Sequence, residues 1–279
     1  MPYPGETVES MRKYISFFVF IMFVFAPISR TQTSSPAEPR YPISQGELKT
    51  SLQEIESLLK EGALLEAKTR YETLIQYDLS AEDRQLIRKA LEELNLKILF
   101  SPAVTPDSFL YTVQPGDALY KIAKDHHTTA ELIKKSNHLM SDLIRPGMEL
   151  KISKAVYSIL VDKSENKIEL FSDETLLKTY SIATGREGHP TPIGSFTIVN
   201  KLIDPTWYKT GAVLPPDSPD NILGTRWLGF SLPSYGIHGT TLPETIGTSA
   251  SEGCIRMHNH DVEELYTIVP IGATVTVAD

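Results

Sequence analysis

The sequence predicts a multidomain protein, with an α-helical segment followed by a βααβ module and then a mainly-β domain. Apolar residues recur at helical spacing over residues 47–100, and Pro-Gly turns lie near both ends of residues 109–153. Over residues 154–279, apolar and polar residues alternate as they do in strands. A length of 279 residues is sufficient for two or three domains.

The composition excludes several classes of function. Hydrophobic residues make up 41% of the chain and charged residues 22%, which is typical of a folded globular protein. The formal net charge is −8, so the chain lacks the basic excess typical of nucleic-acid binding, and we expect no nucleic-acid partner. The single cysteine, Cys254, excludes an internal disulfide and a cysteine-rich zinc site.

The N-terminus has the pattern of an export signal. Residues 15–28 read ISFFVFIMFVFAPI, an uncharged run that begins two positions after the basic pair Arg12-Lys13. This length suits the apolar core of a signal peptide better than a spanning helix of about 20 residues. No small-residue pair is well placed for cleavage, so residues 1–29 are expected to be a signal peptide or an uncleaved inner-membrane anchor. Met11 is an alternative start, and residues 30–46 are expected to form a flexible tether.

Residues 47–100 are predicted to form a spacer of two or three helices. Ser80 and Asp83 have the spacing of an N-terminal cap, which predicts that the last helix begins there. The predicted buried face of that helix consists of Leu86, Ala90, Leu94 and Ile98. The Pro-rich residues 101–108 are expected to form a linker to the next module.

Residues 109–153 have the pattern of a compact βααβ module. A strand is expected at Leu110–Val113 and another at the end of the module, each beside a Pro-Gly turn. Asp117 is expected to cap a helix that starts at Ala118, and a second helix is expected to start near Thr129.

This module resembles the LysM family, because it contains YTVQPGDALYKIA, then SN, then IRPGMELKI. The resemblance implies binding to peptidoglycan or chitin-like glycan chains through N-acetylglucosamine, in a groove between the two turns. The implied glycan-binding residues are Gly116, Asp117 and Ala118 on one side and Pro146 and Gly147 on the other. Ala118 replaces the Thr or Ser usual in the family, so the implied groove lacks one hydroxyl.

The C-terminal stretch is predicted to be mainly β. The expected strands are Val156–Val161, Lys167–Phe171, Thr179–Thr184, Gly194–Val199 and Thr274–Val277. Residues 204–221 contain four prolines and are expected to form a long loop. One helix is expected at Asp261–Ile268, capped by Asn259 or Asp261.

Cys254 lies in SASEGCIRM, and its residue type alone leaves three interpretations open. It is a buried small apolar residue, an intermolecular partner or a nucleophile. Gly253 permits a sharp turn before it, and Arg256 favours a thiolate or an anionic substrate group. His238, in YGIHGTT, lies 16 residues upstream and is a candidate base for a thiol nucleophile.

The C-terminal domain resembles the catalytic domain of YkuD-type L,D-transpeptidases. It contains, in that family's order, GHPTPIGSFTI, DPTWYK, LGTRWLGF, YGIHGTT and SEGCIRMHNHDVEELY. The resemblance implies a β-sandwich with the cysteine in a cleft under a loop flap. It also implies a reaction in which Cys254 attacks the peptide bond after the L-centre of diaminopimelate in a donor tetrapeptide stem. D-alanine leaves, and the amine of a second stem resolves the thioester to give a 3→3 cross-link.

The resemblance implies a role for each matching residue. Cys254 is the nucleophile, and His238 is the general base and acid, oriented by the carbonyl of Gly239. The backbone N–H groups of Gly253 and Cys254 are candidate oxyanion donors. The implied substrate-binding residues are Ser251, Arg256, Trp207 and Tyr208. Glu252 stands where many members have His, and its carboxylate would either raise the pKa of the cysteine or contact an amine on the acceptor.

Three alternatives to the transpeptidase remain. Water replaces the acceptor amine in an L,D-carboxypeptidase, a non-catalytic structural protein only binds the wall, and a general cysteine protease cleaves ordinary peptides. The implied partners are peptidoglycan stem peptides and glycan strands in the periplasm or cell envelope, with a role in wall organisation and cell shape. No cofactor and no metal is expected, because His258 and His260 have no third ligand nearby in the sequence.

Overall fold

A computed structural model describes residues 41–209 and 211–279. The predicted signal peptide or anchor (1–29), with its apolar run 15–28, and most of the predicted tether lie outside these residues. Within the described ranges, no helix is both long enough and apolar enough to cross a membrane.

Three helices and two short strands make up the N-terminal part of the described chain. They are β1 (Tyr41–Pro42), α1 (Gln45–Glu61), α2 (Leu64–Leu74), β2 (Tyr77–Asp78) and α3 (Ala81–Leu99). Ser44 caps α1 by accepting from the N–H of Glu47 at 3.3 Å, and β1 pairs with β2. Ser80 caps α3 by accepting from the N–H of Asp83 at 3.0 Å, as its spacing predicts. Residues 41–46, predicted to end the flexible tether, are therefore folded.

The buried face of α3 differs from its prediction. Leu86 is 64% exposed, whereas its neighbour Ile87 is buried. Ile87 and Ile98 pack in the cluster formed with α1 and α2, while Leu96 belongs to the core of the C-terminal domain. A helix that packs against two neighbours has a wider apolar face than the single stripe assumed from the sequence.

The βααβ module contains the expected elements. They are β3 (Ser108–Thr112), α4 (Leu119–Asp125), α5 (Ala130–Ser136) and β4 (Glu149–Ser153), with β3 antiparallel to β4. Thr129 caps α5 through its hydroxyl. The cap predicted for Asp117 is wrong, because its carboxylate accepts from the Tyr111 hydroxyl and the Gln114 N–H, both at 2.8 Å. Ala118 occupies the N-cap position of α4 without a side-chain bond.

The segment predicted as a linker crosses a packed junction. Lys151 on β4 is buried, and its ammonium donates to the carbonyls of Ile98 (2.9 Å), Leu99 (3.3 Å) and Ser101 (2.9 Å). These carbonyls lie at the C-terminal end of α3, which favours a cation. Burial lowers the pKa of Lys151 to about 8. The helices, the module and the β domain belong to one compact unit, Tyr41–Asp279.

A single mixed sheet is the framework of the C-terminal domain. The described strands are β5 (Tyr157–Asp162), β6 (Lys167–Ser172), β7 (Thr175–Gly185), β8 (Gly194–Ile203), β9 (Trp207–Lys209), β10 (Ala212–Leu214), β11 (Arg226–Phe230), β12 (Gly236–His238), β13 (Ser249–Ser251), β14 (Ile255–Met257) and β15 (Thr274–Ala278). The sheet order is β13-β7-β14-β12-β11-β8-β15-β5-β6, and β6 also pairs with β7. The domain is mainly β, as predicted, and its sheet is closed by the pairing of β6 with β7.

Two local predictions in this domain are corrected. Residues 204–221 are not loop throughout, because β9 and β10 pair as an antiparallel hairpin. The last helix, α6 (Asn259–Ile268), begins before the predicted Asp261, and its N-cap residue, His258, makes no side-chain cap. Asn259 does not cap the helix either, since its carboxamide oxygen accepts from the N–H of Thr240 at 3.0 Å. That bond ties α6 to the segment that follows β12.

The largest core cluster joins the sheet to α6. It includes fully buried side chains from four strands and from the helix: Ile159, Ile182, Ile237, Ile255, Val262, Leu265 and Ile268. Burying a side chain of this size contributes roughly 1.5–3 kcal/mol. The central strands β12 and β14 are therefore well fixed where they end at the candidate site.

Candidate active site

A cavity of about 490 Å³ lies at the ends of β12 and β13 and the start of β14, and β9 contributes to its lining. Six of the predicted site residues line it: His238, Cys254, Ser251, Arg256, Trp207 and Tyr208. Residues far apart in the chain are thus brought to one place, as the motifs predict. The backbone of Gly239 and Gly253 adjoins the cavity through their neighbours in the sequence.

Cys254 lies in the turn between β13 and β14, and two features fix this turn. Gly253 has φ 109°, and a Cβ at this position would lie 2.9 Å from the ring of Tyr235, so only glycine fits. The buried Ser251 hydroxyl accepts from the N–H of Gly253 at 3.1 Å and donates to the carbonyl of Cys254. The Gly253 N–H is therefore engaged in this structure and is not free as the predicted oxyanion donor.

His238 ends β12, opposite Arg256 on β14. Its Nδ1 lies 2.6 Å from the carbonyl oxygen of Gly239. Because a carbonyl oxygen only accepts, Nδ1 carries the proton in this hydrogen bond. A second hydrogen bond joins the imidazole to the backbone of Leu223, and both bonds favour its charged form. Complete burial lowers the pKa of His238 to about 4, and the positive charge of Arg256 acts in the same direction. The imidazole is therefore neutral at neutral pH, which is the form that a general base requires.

The thiol of Cys254 donates to the carbonyl of Ser234, with an Sγ–O distance of 3.4 Å. Burial raises the pKa of this thiol, while the backbone of Gly236 and the charge of Arg256 act in the opposite direction. Burial is thus the main cause of the raised pKa, and the expectation that the carboxylate of Glu252 raises it further stays a prediction. In the resting site the thiol keeps its proton, so a base must remove it before attack.

Sequence reasoning missed Ser234 and Gly236. Ser234 has φ 70°, a conformation that non-glycine residues seldom adopt, and its carbonyl is the acceptor for the thiol. The motif PSYG between β11 and β12 indicates a turn, but nothing in its spacing shows that this turn meets Cys254. Trp227 was missed as well, and its ring stacks on His238 with centroids 6.0 Å apart.

Arg256 gives the cavity a buried cationic group. Its side chain is only 6% exposed, and among the described residues its Nε has no hydrogen-bond partner. A buried cation is stabilised by a nearby negative charge, so an anionic group of a ligand would stabilise this site. Elsewhere in the lining, Tyr208 is exposed, and the ammonium of Lys209 lies 4.7 Å from the centre of the Trp207 ring.

The predicted glycan-binding residues lie elsewhere, in the two turns of the βααβ module. Gly116 and Gly147 both have φ 88° and close these turns. Val113 joins them, because its N–H donates to the carbonyl of Met148 (2.8 Å) and its carbonyl accepts from the N–H of Gly147 (2.9 Å). Asp117 and Ala118 precede α4 at the first turn, and Pro146 lies in the second.

The paired histidines near α6 form a local cluster. The rings of His258 and His260 stack with centroids 5.5 Å apart, and His260 lies 3.2 Å from a carboxylate oxygen of Asp261. In the described part of the chain, no group of three or more His, Cys, Asp or Glu side chains is arranged to hold a metal ion.

Comparisons with known proteins match both modules. Residues 156–277 match the model of the L,D-transpeptidase catalytic domain, YkuD, and residues 111–153 match the LysM domain. A Bacillus licheniformis protein named L,D-transpeptidase YkuD is 36% identical over 176 residues, covering 60% of this chain and 98% of its own length. The Bacillus subtilis protein of that name is 36% identical over 174 residues, covering 60% and 97%. A solved Mycobacterium tuberculosis L,D-transpeptidase is 20% identical and has a TM-score of 0.39, covering 48% of this chain and 63% of that one.

Proposed function

The chain belongs to the YkuD family of L,D-transpeptidases, and we propose that it forms 3→3 cross-links in peptidoglycan through a thioester on Cys254. Its LysM domain and its catalytic domain imply binding to peptidoglycan, and therefore a place in the cell wall or envelope. The main support is that His238, neutral and with its Nδ1 held by the carbonyl of Gly239, lines the same cavity as the thiol of Cys254.

The first half of the proposed reaction is acylation. Nε2 of His238 takes the thiol proton, and Sγ of Cys254 attacks the carbonyl carbon at the L-centre of the third stem residue. A C–S bond forms and the C–N bond to D-alanine breaks. The proton then passes from His238 to the leaving nitrogen, so D-alanine departs as a neutral amine and a thioester remains.

The second half uses the amine of another stem. Its nitrogen attacks the thioester carbon, a C–N bond forms and the C–S bond breaks. One amine proton passes to His238 and from there to the thiolate of Cys254, which restores the resting site.

The other cavity residues have binding roles in this proposal. Arg256, with its unpartnered Nε, binds a carboxylate of the donor stem. Trp207 and Tyr208 on the β9–β10 hairpin pack against the stem, and Ser251 holds the turn before the nucleophile. The N–H of Cys254 is the proposed oxyanion donor, joined by that of Gly253 when Ser251 releases it.

The βααβ module raises the local concentration of substrate. A glycan strand bound at Gly116–Ala118 and Pro146–Gly147 keeps its stem peptides near the cavity even if each contact is weak. For such a role the chain must be exported, which the apolar run 15–28 would provide, as a cleaved signal or as an anchor.

The proposal is tested with the purified full chain, a disaccharide tetrapeptide and mass spectrometry. We expect dimers that have lost one D-alanine, and no product from the Cys254→Ala variant. Tripeptide without dimer would indicate an L,D-carboxypeptidase. If wild type and variant both leave the tetrapeptide intact while the protein still binds wall sacculi, a non-catalytic wall-binding role replaces the proposal.

A further inference from the structure

We propose that Glu252 selects the acceptor, by holding the ammonium group of the incoming stem at the rim of the catalytic cavity. The proposal rests on the proposed function, because it concerns the second half of that reaction.

The lining of the cavity contains more positive than negative charge. Arg256 and Lys209 are cationic, whereas Glu252 is the one carboxylate among the described residues that line the cavity. Among the lining groups, the two basic side chains repel a cationic acceptor that approaches the thioester, and Glu252 attracts it. Replacing Glu252 by a neutral residue would change the formal charge of this lining from +1 to +2.

The carboxylate of Glu252 is available for such a contact. Its side chain is 68% exposed, and its ion-pair partner Arg186, at 3.5 Å, is 50% exposed. Exposed pairs of this kind contribute little stability, so an incoming ammonium group competes well with Arg186. The backbone N–H of Arg186 donates to the carbonyl of Ser251 at 2.9 Å, which keeps the pair beside the catalytic turn.

Glu252 has no comparable role in the first half of the reaction. Burial is the main cause of the raised pKa of Cys254, with Gly236 and Arg256 acting against it, so the carboxylate has no leading part in removal of the thiol proton. In the second half, the held ammonium first loses one proton to water. The free amine then forms the C–N bond as the C–S bond breaks, and its next proton reaches Sγ through His238.

The test follows the full chain with a disaccharide tetrapeptide donor and increasing concentrations of a disaccharide tripeptide acceptor. Release of D-alanine reports acylation, and the ratio of dimer to hydrolysed tripeptide reports acceptor capture. For Glu252→Gln we expect the half-saturating acceptor concentration to rise about two- to fivefold, with the plateau of cross-linking little changed. The difference should shrink at high salt, because the contact is exposed.

Two further variants complete the test: one should change the acceptor concentration in the opposite direction, and the other is a control. Arg186→Met removes the competing cation, so the half-saturating acceptor concentration should fall, and it should not fall when Glu252→Gln is also present. Glu187→Gln removes an exposed carboxylate next to Arg186 without altering the lining of the cavity. Its half-saturating acceptor concentration should equal that of the wild type.

Equal acceptor dependence in Glu252→Gln and wild type would overturn the inference and leave the proposed function standing. An equal effect of Glu187→Gln would also overturn it, because the cause would then be net charge. Failure of the wild type to release D-alanine would overturn the proposed function and this inference together.

Discussion

The residues that line the cavity differ in how firmly they are held. The buried lining residues are called the inner wall below, and the exposed ones the outer wall. On the inner wall, His238 and Ser251 are 3% and 1% exposed, and each is tied to backbone by hydrogen bonds. On the outer wall, Tyr208 is 76% exposed and Glu252 has only a long, exposed ion pair. In the proposed mechanism, bond making therefore falls to buried groups held by hydrogen bonds, whereas contact with the acceptor falls to exposed groups.

The largest effect is expected from the inner wall, with His238→Gln. Glutamine fills much of the same space but cannot shuttle the proton, so kcat/KM for cross-linking should fall about 10²- to 10⁴-fold. Steady-state rates of D-alanine release measure this, and circular dichroism checks that the fold is kept. Activity within tenfold of the wild type would remove His238 from the mechanism and with it the proposed contrast between the walls.

Acid should destabilise the inner wall through the same histidine. Its pKa is about 4 when folded and about 6.5 when unfolded, so the unfolded chain binds more protons between these values. Stability is therefore complete above pH about 6.5 and falls as the pH drops toward 4, by up to about 3 kcal/mol. Urea unfolding of wild type and His238→Gln across this range should show a steeper fall for the wild type, and parallel curves would contradict the assignment.

Asn259→Ala is expected to loosen the inner wall without removing a reacting group. The N–H of the buried Thr240 loses its acceptor, which should lower the free energy of unfolding by about 1–3 kcal/mol. The rate constant kcat should fall more than KM changes, because Gly239 orients the imidazole from the adjoining residue. Asn259→Asp keeps an acceptor and should recover much of both losses; equal damage in the two variants would argue against this hydrogen bond.

The smallest effect is expected on the outer wall, with Tyr208→Ala. An exposed ring that contacts only substrate should raise the KM for the donor a few-fold and leave the melting temperature within about a degree. Thermal unfolding and donor titrations test both parts. A large loss of stability would show that the hairpin is a structural part of the domain and would weaken the contrast.

The sequence predicts the order of the modules and the residues of the inner wall, because local motifs carry both. The turn around Cys254 depends on Gly253 and Ser251 within a few positions, so its residues can be recognised in the chain. Ser234 could not be predicted in this way, because its carbonyl meets the thiol only through the pairing of distant strands.

Elements with two neighbours were the hardest to predict. The stripe assigned to α3 placed Leu86 inside, because the pattern could not include a second packing surface.

Residues 204–221 were expected to be loop owing to their prolines, which lie outside the paired strands β9 and β10. Asp117 and Asn259 were assigned to helix caps by residue type, but nearby backbone groups compete for their oxygens.

The buried ammonium of Lys151 makes the module boundaries of the sequence poor guides to how the chain melts. Separating β4 from α3 would break the hydrogen bonds from this ammonium to the carbonyls of Ile98, Leu99 and Ser101. Partial unfolding at this junction is therefore costly, and the helices should not come apart from the βααβ module at a lower temperature. The residues from Tyr41 onward are expected to unfold in one cooperative transition, seen as a single calorimetric peak whose van't Hoff and calorimetric enthalpies agree.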